Sequence, residues 1–299
     1  MSQKPLVYII LVNWNGYKDT KECLESLKRN TYKNYKIIVI DNGSGKNQSD
    51  RIKKKFPKIN LIKNSINTGF SYANNQGIKE AIKNKAKYIL LLNNDTVVKK
   101  DFLDILIDYA EKNNFQGVLT PKILYYGTNK IWAMGGKLSY LTSIPRMIGQ
   151  GSKSNSFNKI IEPDYASGCA FLVNTDIIKK VGLLDNSYFA YYEDTDLSFR
   201  IKKLGYIIKV IPNSIIWHKV SRSTKQKNLK KIGQTQAYLL AKNGLIFGKK
   251  NLHGYKKNIY IFAQYFFKLP LYLIFKVENY TAFRSYIKGF FDGLKFKNE

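Results

Sequence analysis

Three short, almost wholly apolar runs end abruptly in clusters of Asn, Asp, Gly and Ser, and these junctions constrain the fold more than any other feature of the chain. Leu6–Val12 runs into Asn13-Trp14-Asn15-Gly16, Tyr35–Ile40 into Asp41-Asn42-Gly43-Ser44, and Tyr88–Leu92 into Asn93-Asn94-Asp95-Thr96. Ile37-Ile38-Val39-Ile40 and Ile89-Leu90-Leu91-Leu92 are apolar at every position, so both faces of each strand must be covered. That is the condition of parallel strands flanked by helices. Amphipathic stretches near Asp19–Lys28, Asp50–Lys55 and Ser71–Asn84 separate these runs and a further one at Ile59–Ile62, which predicts a βαβ alternation and an α/β class. Ligands of an open parallel sheet bind beyond the carboxyl ends of its strands, so the three polar clusters are expected to line one crevice.

Beyond the fourth strand the spacing predicts a helix over Phe102–Asn113 and a strand over Phe115–Leu119. An irregular Gly-, Ser- and Tyr-rich stretch then runs to about residue 164, read as loop and hairpin around an acceptor. Order returns with Ala170–Val173, a short helix over Asp176–Val181, a helix opening at Glu193-Asp194, and a strand over Tyr206–Val210. From Asn258 the chain becomes aromatic and apolar, with Lys268 and Pro270 in the middle of the run. A lysine at the centre of a spanning helix costs roughly 2.5–3.5 kcal/mol, which favours a segment lying in a membrane interface over one crossing it. The expected organisation is one catalytic domain over residues 1–250 and a basic, aromatic helical extension over 251–299.

Hydrophobic residues make up 44% of the 299 residues and aromatics 14%, enough apolar surface to exclude a disordered or collagen-like chain. The formal charge of +29 invites a polyanionic partner, but its distribution is uneven. Residues 151–200 hold five Lys/Arg against seven Asp/Glu, whereas residues 201–250 hold twelve Lys/Arg and no acid. Acids at the expected crevice argue against nucleic acid as partner. Cys23 and Cys169 stand far apart and form no CxxC pair, and no secretory leader is visible, so a reducing, cytoplasmic setting is expected. Gly43-Ser44-Gly45-Lys46 is not a phosphate loop, because Ile40 stands where that motif needs Gly and Asn47 where it needs Ser or Thr. Nor is there a GxGxxG, GxSxG or HExxH motif.

Carboxylates at strand ends carry what chemistry remains. Asp95 closes the fourth strand, where an oxygen ligand can hold a hard divalent cation that grips phosphates; the same Asn-Asn-Asp triplet is also a good turn. Tyr192-Glu193-Asp194-Thr195-Asp196 puts three acids within four residues. On a helix Glu193 and Asp196 share a face while Asp194 points elsewhere, so one Asp suits a general base and the others do not. Dipole-favoured acids at a helix start are the plainer reading. His218, in Trp217-His218-Lys219-Val220-Ser221, is a further ligand candidate beside Asp95, or a structural histidine; His253 has no recognisable context.

An ordered set of segments resembles the bacterial family-two glycosyltransferases, with the likeness strongest to the rhamnosyltransferase-like branch. It comprises Val12-Asn13-Trp14-Asn15-Gly16, Ile40-Asp41-Asn42-Gly43-Ser44, Asn67-Thr68-Gly69-Phe70-Ser71, Asn74-Asn75-Gln76-Gly77, Leu92-Asn93-Asn94-Asp95-Thr96, Gly182-Leu183-Leu184-Asp185 and Tyr192-Glu193-Asp194. These cover about Pro5 to Gly248, and Gly289-Phe290-Phe291-Asp292-Gly293-Leu294 resembles the same branch. The resemblance implies a GT-A fold, inversion at the anomeric carbon and an Mg²⁺ or Mn²⁺ ion. It implies that Asp41 reads the nucleotide base and that Asn67, Gly69, Phe70 and Asn75 lie beside the nucleotide-sugar, with Asn13, Trp14, Asn93 and Asn94 on the same wall. Asp95 matches the metal-binding Asp of a DxD motif, and Asn93 stands where many members have a second Asp, so one ligand charge is missing and His218 is a candidate replacement. Asp194 matches the presumed catalytic base, with Glu193, Trp132 and Gly168 toward the acceptor. The implied donor is dTDP-rhamnose or a UDP-sugar and the implied acceptor a lipid-linked or envelope glycan. A peripheral enzyme on an anionic cytoplasmic membrane face follows, and a silent scaffold is the alternative that Asn93 raises.

Overall fold

The structure, a computed structural model, describes residues 4–45, 47–220 and 231–297. Its first half follows the apolar runs closely: β1 (Val7–Asn13), α1 (Tyr17–Lys28), β2 (Tyr35–Asn42), α2 (Gln48–Lys55), β3 (Asn60–Asn64), α3 (Phe70–Lys83) and β4 (Tyr88–Leu92). β1 pairs in parallel with β2 and β4, and β2 with β3. Because β1 is apolar from Val7 to Val12, its alternate residues serve two cores. Val7, Ile9 and Leu11 pack with Leu24 and Leu27 of α1 on one face, and Tyr8 and Ile10 with Ala73 and Ile78 of α3 on the other.

The second half comprises β5 (Thr96–Val98), α4 (Phe102–Lys112), β6 (Gly117–Tyr125), β7 (Ile131–Ala133), β8 (Gly136–Leu138), β9 (Pro145–Met147), β10 (Ala170–Asn174), α5 (Thr175–Val181), α6 (Glu193–Lys203) and β11 (Ile207–His218). The sheet order is β3-β2-β1-β4-β10-β6-β11-β5, with β7 beside β6. β10 is antiparallel to both β4 and β6, so the parallel half is joined to a mixed one. No crossover helix separates β6 from β10; the chain returns through hairpins and enters the sheet from the opposite end.

Two strands outrun their predicted ends. β6 continues past Pro121, because its pairing with β10 stops at Leu119 and the missing proline N–H is not needed on that side. β11 continues past Pro212 through an irregularity between Ile211 and Ile215, so His218 ends a strand that was expected to stop at Val210.

The C-terminal residues form α7 (Gln234–Asn251), α8 (Gly254–Ala263), a π-helical turn Gln264–Lys268, the short α9 (Leu269–Leu271), a second π-helical turn Tyr272–Lys276, and α10 (Tyr280–Lys295). Tyr188 and Tyr192, just ahead of α6, share a core with Phe247 of α7 and Tyr260 of α8. Among the described residues no helix is long and apolar enough to cross a membrane. Phe262, Phe266, Phe267 and Phe275 are each more than half exposed, but Lys268 between them is 0% exposed. The lysine that looked like a charge facing lipid therefore points into the protein. The basic run at Arg222, Lys225, Lys227 and Lys230, together with Lys46 and Ser221, lies outside the described residues.

Candidate active site

At the ends of β1 and β2, side chains satisfy one another. Asn13, fully buried, donates from Nδ2 to Asp41 Oδ1 at 2.9 Å and to Ser44 Oγ at 3.0 Å, while its Oδ1 accepts from Thr20 Oγ1 and the Gly16 N–H. Asn94 Nδ2 donates to the same Thr20 hydroxyl at 2.8 Å, tying the end of β4 to that of β1. Asn13 thus braces Asp41. Asn42 organises the next loop: its Oδ1 accepts from the Thr68 N–H and hydroxyl, and its Nδ2 donates to Asn67 Oδ1 and Gly69 O. Gly69 has φ +87°, and a Cβ there would lie 2.6 Å from Phe189 O, so glycine is required. Phe70 then opens α3 with its N–H on Phe189 O. Trp14 is 46% exposed, an open platform at the rim.

Asn75 is placed differently from expectation. Its amide is committed to the loop before α6, donating to Leu184 O and Asn186 Oδ1 and accepting from the Leu184 N–H, so it clasps that loop from α3.

Antiparallel pairing brings Asp95 and His218 together: His218 of β11 lies opposite Thr96 of β5. His218 Nε2 lies 3.1 Å from Asp95 Oδ1, with both side chains nearly buried. Burial works against the Asp95 carboxylate, but His218, a backbone N–H and Lys219 outweigh it and hold its pKa below the ordinary value. Burial also pulls His218 down, yet Cys169 and Asp95 beside it raise it to about 10. The Trp132 ring stands edge-on to the imidazole, centroids 4.4 Å apart, so Trp132 walls this end of the cleft. Lys219 bonds Asp19 and Glu22 of α1, and its N–H donates to Asp95 O.

No group of three or more His, Cys, Asp or Glu able to hold an ion occurs among the described residues. Asp95 and His218 nevertheless fit as a pair: neighbouring ligands on an octahedral ion with bonds of about 2.1 Å stand about 3 Å apart, close to their 3.1 Å separation. Asn93 carries no charge and uses its backbone instead, donating N–H to Cys169 O at 2.9 Å.

The acid turn is built under strain. Tyr191 and Tyr192 are both left-handed, φ 67° and 75°, which costs a non-glycine residue about 1–2 kcal/mol each. α6 begins at once with Glu193. Asp194 Oδ2 accepts the Gly168 N–H at 2.8 Å, and Oδ1 accepts the Thr195 N–H at 2.6 Å. Burial raises the Asp194 pKa, and these amides restrain the rise. Glu193 is 6% exposed, its Oε2 has no hydrogen-bond partner among the described residues, and burial together with Asp194 raises it well above the usual carboxylate range. Asp196 is structural: it pairs with Arg200 at 2.8 Å and accepts from Asn251 at 2.7 Å. The three acids of one helical turn thus sit in three different environments.

Gly168 and Cys169 join the two clusters. Gly168 donates to Asp194, and the next residue, Cys169, has its buried thiol in the field of His218, Asp95 and Asp194 together. Sequence reading missed Asn42, Thr20 and Cys169. Asn42 was visible inside a strand-end cluster, but nothing local marks Thr20 or Cys169, which matter through pairing with distant strands.

A mixed sheet with a carboxylate at the end of β4 and an acid turn facing it has the GT-A architecture. A solved structure of GalNAc-T7 with UDP, GalNAc and Mn²⁺ superposes with a TM-score of 0.62 at 15% identity, over 86% of this chain and 54% of that one, a likeness of fold. Residues 8–182 match Glycosyl transferase family 2, and the chain belongs to that family. It is 22% identical over 236 residues to an N-acetylglucosaminyl-diphospho-decaprenol L-rhamnosyltransferase of Mycobacterium tuberculosis, covering 72% of this chain and 76% of that protein. It is 25% identical over 213 residues to a poly-beta-1,6-N-acetyl-D-glucosamine synthase of Staphylococcus epidermidis, covering 71% of this chain. The chain spans 49% of the length of that synthase.

Proposed function

We propose that the chain is an inverting glycosyltransferase that moves a sugar from a UDP- or dTDP-sugar, dTDP-rhamnose included, to a hydroxyl of a lipid-linked or envelope glycan. The observation that supports this reading is at the Gly168-Cys169 dipeptide: the Gly168 N–H donates to Asp194 Oδ2 at 2.8 Å, and the adjoining Cys169 thiol is buried in the field of His218, Asp95 and Asp194. Asp41, braced by Asn13, accepts the imide N–H of uracil or thymine, and Trp14, Asn67, Gly69 and Phe70 border the nucleotide. Asp95 and His218 would hold Mg²⁺ or Mn²⁺, and the bound ion would supply positive charge to the departing nucleotide. Asp194 takes the proton of the acceptor hydroxyl as that oxygen attacks the anomeric carbon. Its pKa, raised by burial, brings it nearer the operating pH, as a general base requires. Gly168 and the Thr195 N–H fix the carboxylate plane. Glu193 and Trp132 border the acceptor side.

The exposed Phe262, Phe266, Phe267 and Phe275, with the basic residues around them, support docking on an anionic membrane face, where each Lys or Arg near the surface contributes about 1 kcal/mol. Thermal unfolding with UDP- and dTDP-sugars in the presence of Mn²⁺ tests the donor reading. A rise in melting temperature with one of them, abolished by EDTA, is expected; no shift with any of them would reject it.

A further inference from the structure

A lysine with no carboxylate partner among the described residues is buried behind the acid turn. Lys268 Nζ donates to the Tyr192 hydroxyl at 2.8 Å, lies 3.4 Å from Leu240 O, and sits over the rings of Tyr192 and Tyr272 at 5.1 and 5.5 Å. Room for it comes from α7, where a Cβ on Gly244 would lie 2.8 Å from Nζ. It stands on the π-helical turn Gln264–Lys268, an irregularity of a kind frequent at functional sites. Burying an unpaired ammonium is unfavourable, so a chain that keeps one in its interior calls for an account of what it does.

What the ammonium grips is the residue that precedes Glu193. Asn243 of α7 donates to both Ala190 O and Tyr191 O at 2.8 Å, and Lys268 takes the Tyr192 side chain. The strained turn is thus held at its backbone from one helix and at its side chain from another, and Asp194 lies two residues beyond Tyr192. We propose that Lys268 is a positioning residue: from the C-terminal helices it holds the left-handed turn that aims the Asp194 carboxylate. This rests on Asp194 as the base. It makes the helices after the sheet part of the catalytic scaffold as well as a docking surface.

The groups facing Lys268 are Tyr192 from the turn, Gln264 from its own π turn, Tyr272 from the next one and the Leu240 carbonyl from α7, with Tyr260 of α8 and Tyr286 of α10 in the same nest. Burial raises all four tyrosines, so they stay neutral, and lowers Lys268 to about 7. The ammonium both donates to the Tyr192 oxygen and sits as a cation over the Tyr192 and Tyr272 rings, whereas the neutral amine keeps only a hydrogen bond, so the grip weakens and the rate should decline above that pH.

Full-length wild type, Lys268→Met, Tyr192→Phe and the double variant are compared by nucleotide release from UDP-N-acetylglucosamine and from dTDP-rhamnose with Mn²⁺, and by hydrogen–deuterium exchange. Each single variant should lose at least tenfold in kcat with donor KM within twofold, and the double variant should lose no more. The alkaline decline near pH 7 should vanish in Lys268→Met. Exchange over residues 189–197 should quicken at least tenfold with β1–β4 unchanged. Lys268→Met should also unfold no earlier than wild type, since a buried charge is gone, so lost rate is not lost fold. Wild-type kcat in Lys268→Met, unchanged exchange at 189–197, or exchange that quickens uniformly would overturn the proposal. The exchange arm needs no substrate and judges Lys268 even when neither donor is turned over. An Asp194→Asn enzyme that keeps its rate while exchange responds as expected would instead sink the assignment of the base.

Discussion

The two ends of the cleft are held by different means. Where β1 and β2 end, left-handed backbone falls on Asn15, Gly43 and Gly69, residues that adopt it cheaply, and the polar side chains satisfy one another. At the acid turn the same conformation falls on two tyrosines, beside a carboxylate with an unpartnered oxygen and a second one raised by burial. The first end is relaxed and preformed, suited to binding. The second is strained and held from outside, suited to fixing one group against its own tendencies. Damage at the first should weaken affinity by degrees; damage at the second should cut the rate.

The sharpest break is Asp194→Asn. Transfer should fall by about 10²–10⁴-fold while UDP·Mn²⁺ affinity by calorimetry stays within twofold, and more than a tenth of wild-type turnover would refute the assignment. In Lys268→Met, where the alkaline decline is absent, log kcat should rise with pH through the raised Asp194 pKa and then level, because only the ionised carboxylate takes a proton. Next in size, Asp95→Asn and His218→Ala should each lower transfer on the order of 100-fold and weaken Mn²⁺-dependent donor binding; full activity of the wild type in excess EDTA would remove the ion from the scheme. Asp41→Asn should be milder, raising donor KM by about tenfold with little change in kcat. A fall confined to kcat would move Asp41 to the chemical end of the comparison.

The smallest effect concerns stability. Burial raises Glu193 in the folded chain, so its contribution is fully present below the unfolded value of about 4.3 and is lost as pH rises through the folded one. Glu193→Gln should therefore raise the melting temperature at pH 7.5 by about 3 °C, equivalent to about 1 kcal/mol. At pH 4 the gain should disappear. Equal gains at both pH values would mean that the gain does not come from the titration of Glu193.

The same contrast governs what could be read without coordinates. Asn13 and Asp41 lie in the last residues of β1 and β2, and Asp95 three residues beyond β4, so an apolar run that turns polar is enough to mark where these strands end. The hold of Asn75 on the loop before α6 was not legible, because its partners, Leu184 and Asn186, lie more than a hundred residues away. β6 and β11 were expected to end at Leu119 and Val210, and only pairing with each other and, for β11, with β5 carries them past Pro121 and Pro212. Lys268 was noticed for the wrong reason. A lone cation in an aromatic run is an obstacle to lipid when read linearly, and only the packing of α7 against the turn shows which way it points.

The link at Gly168-Cys169 also has a consequence for chain register. These residues lead into β10, which is locked by antiparallel pairing between β4 and β6. One residue inserted before Ala170 would move the segment by about 3.3 Å and turn its side chains to the opposite face. The Asp194 hydrogen bond and the thiol beside His218 would then be lost together, although neither carboxylate had been touched. Length at this point is therefore as restrictive as residue identity, and chains able to exchange segments around it must do so without adding or dropping a residue.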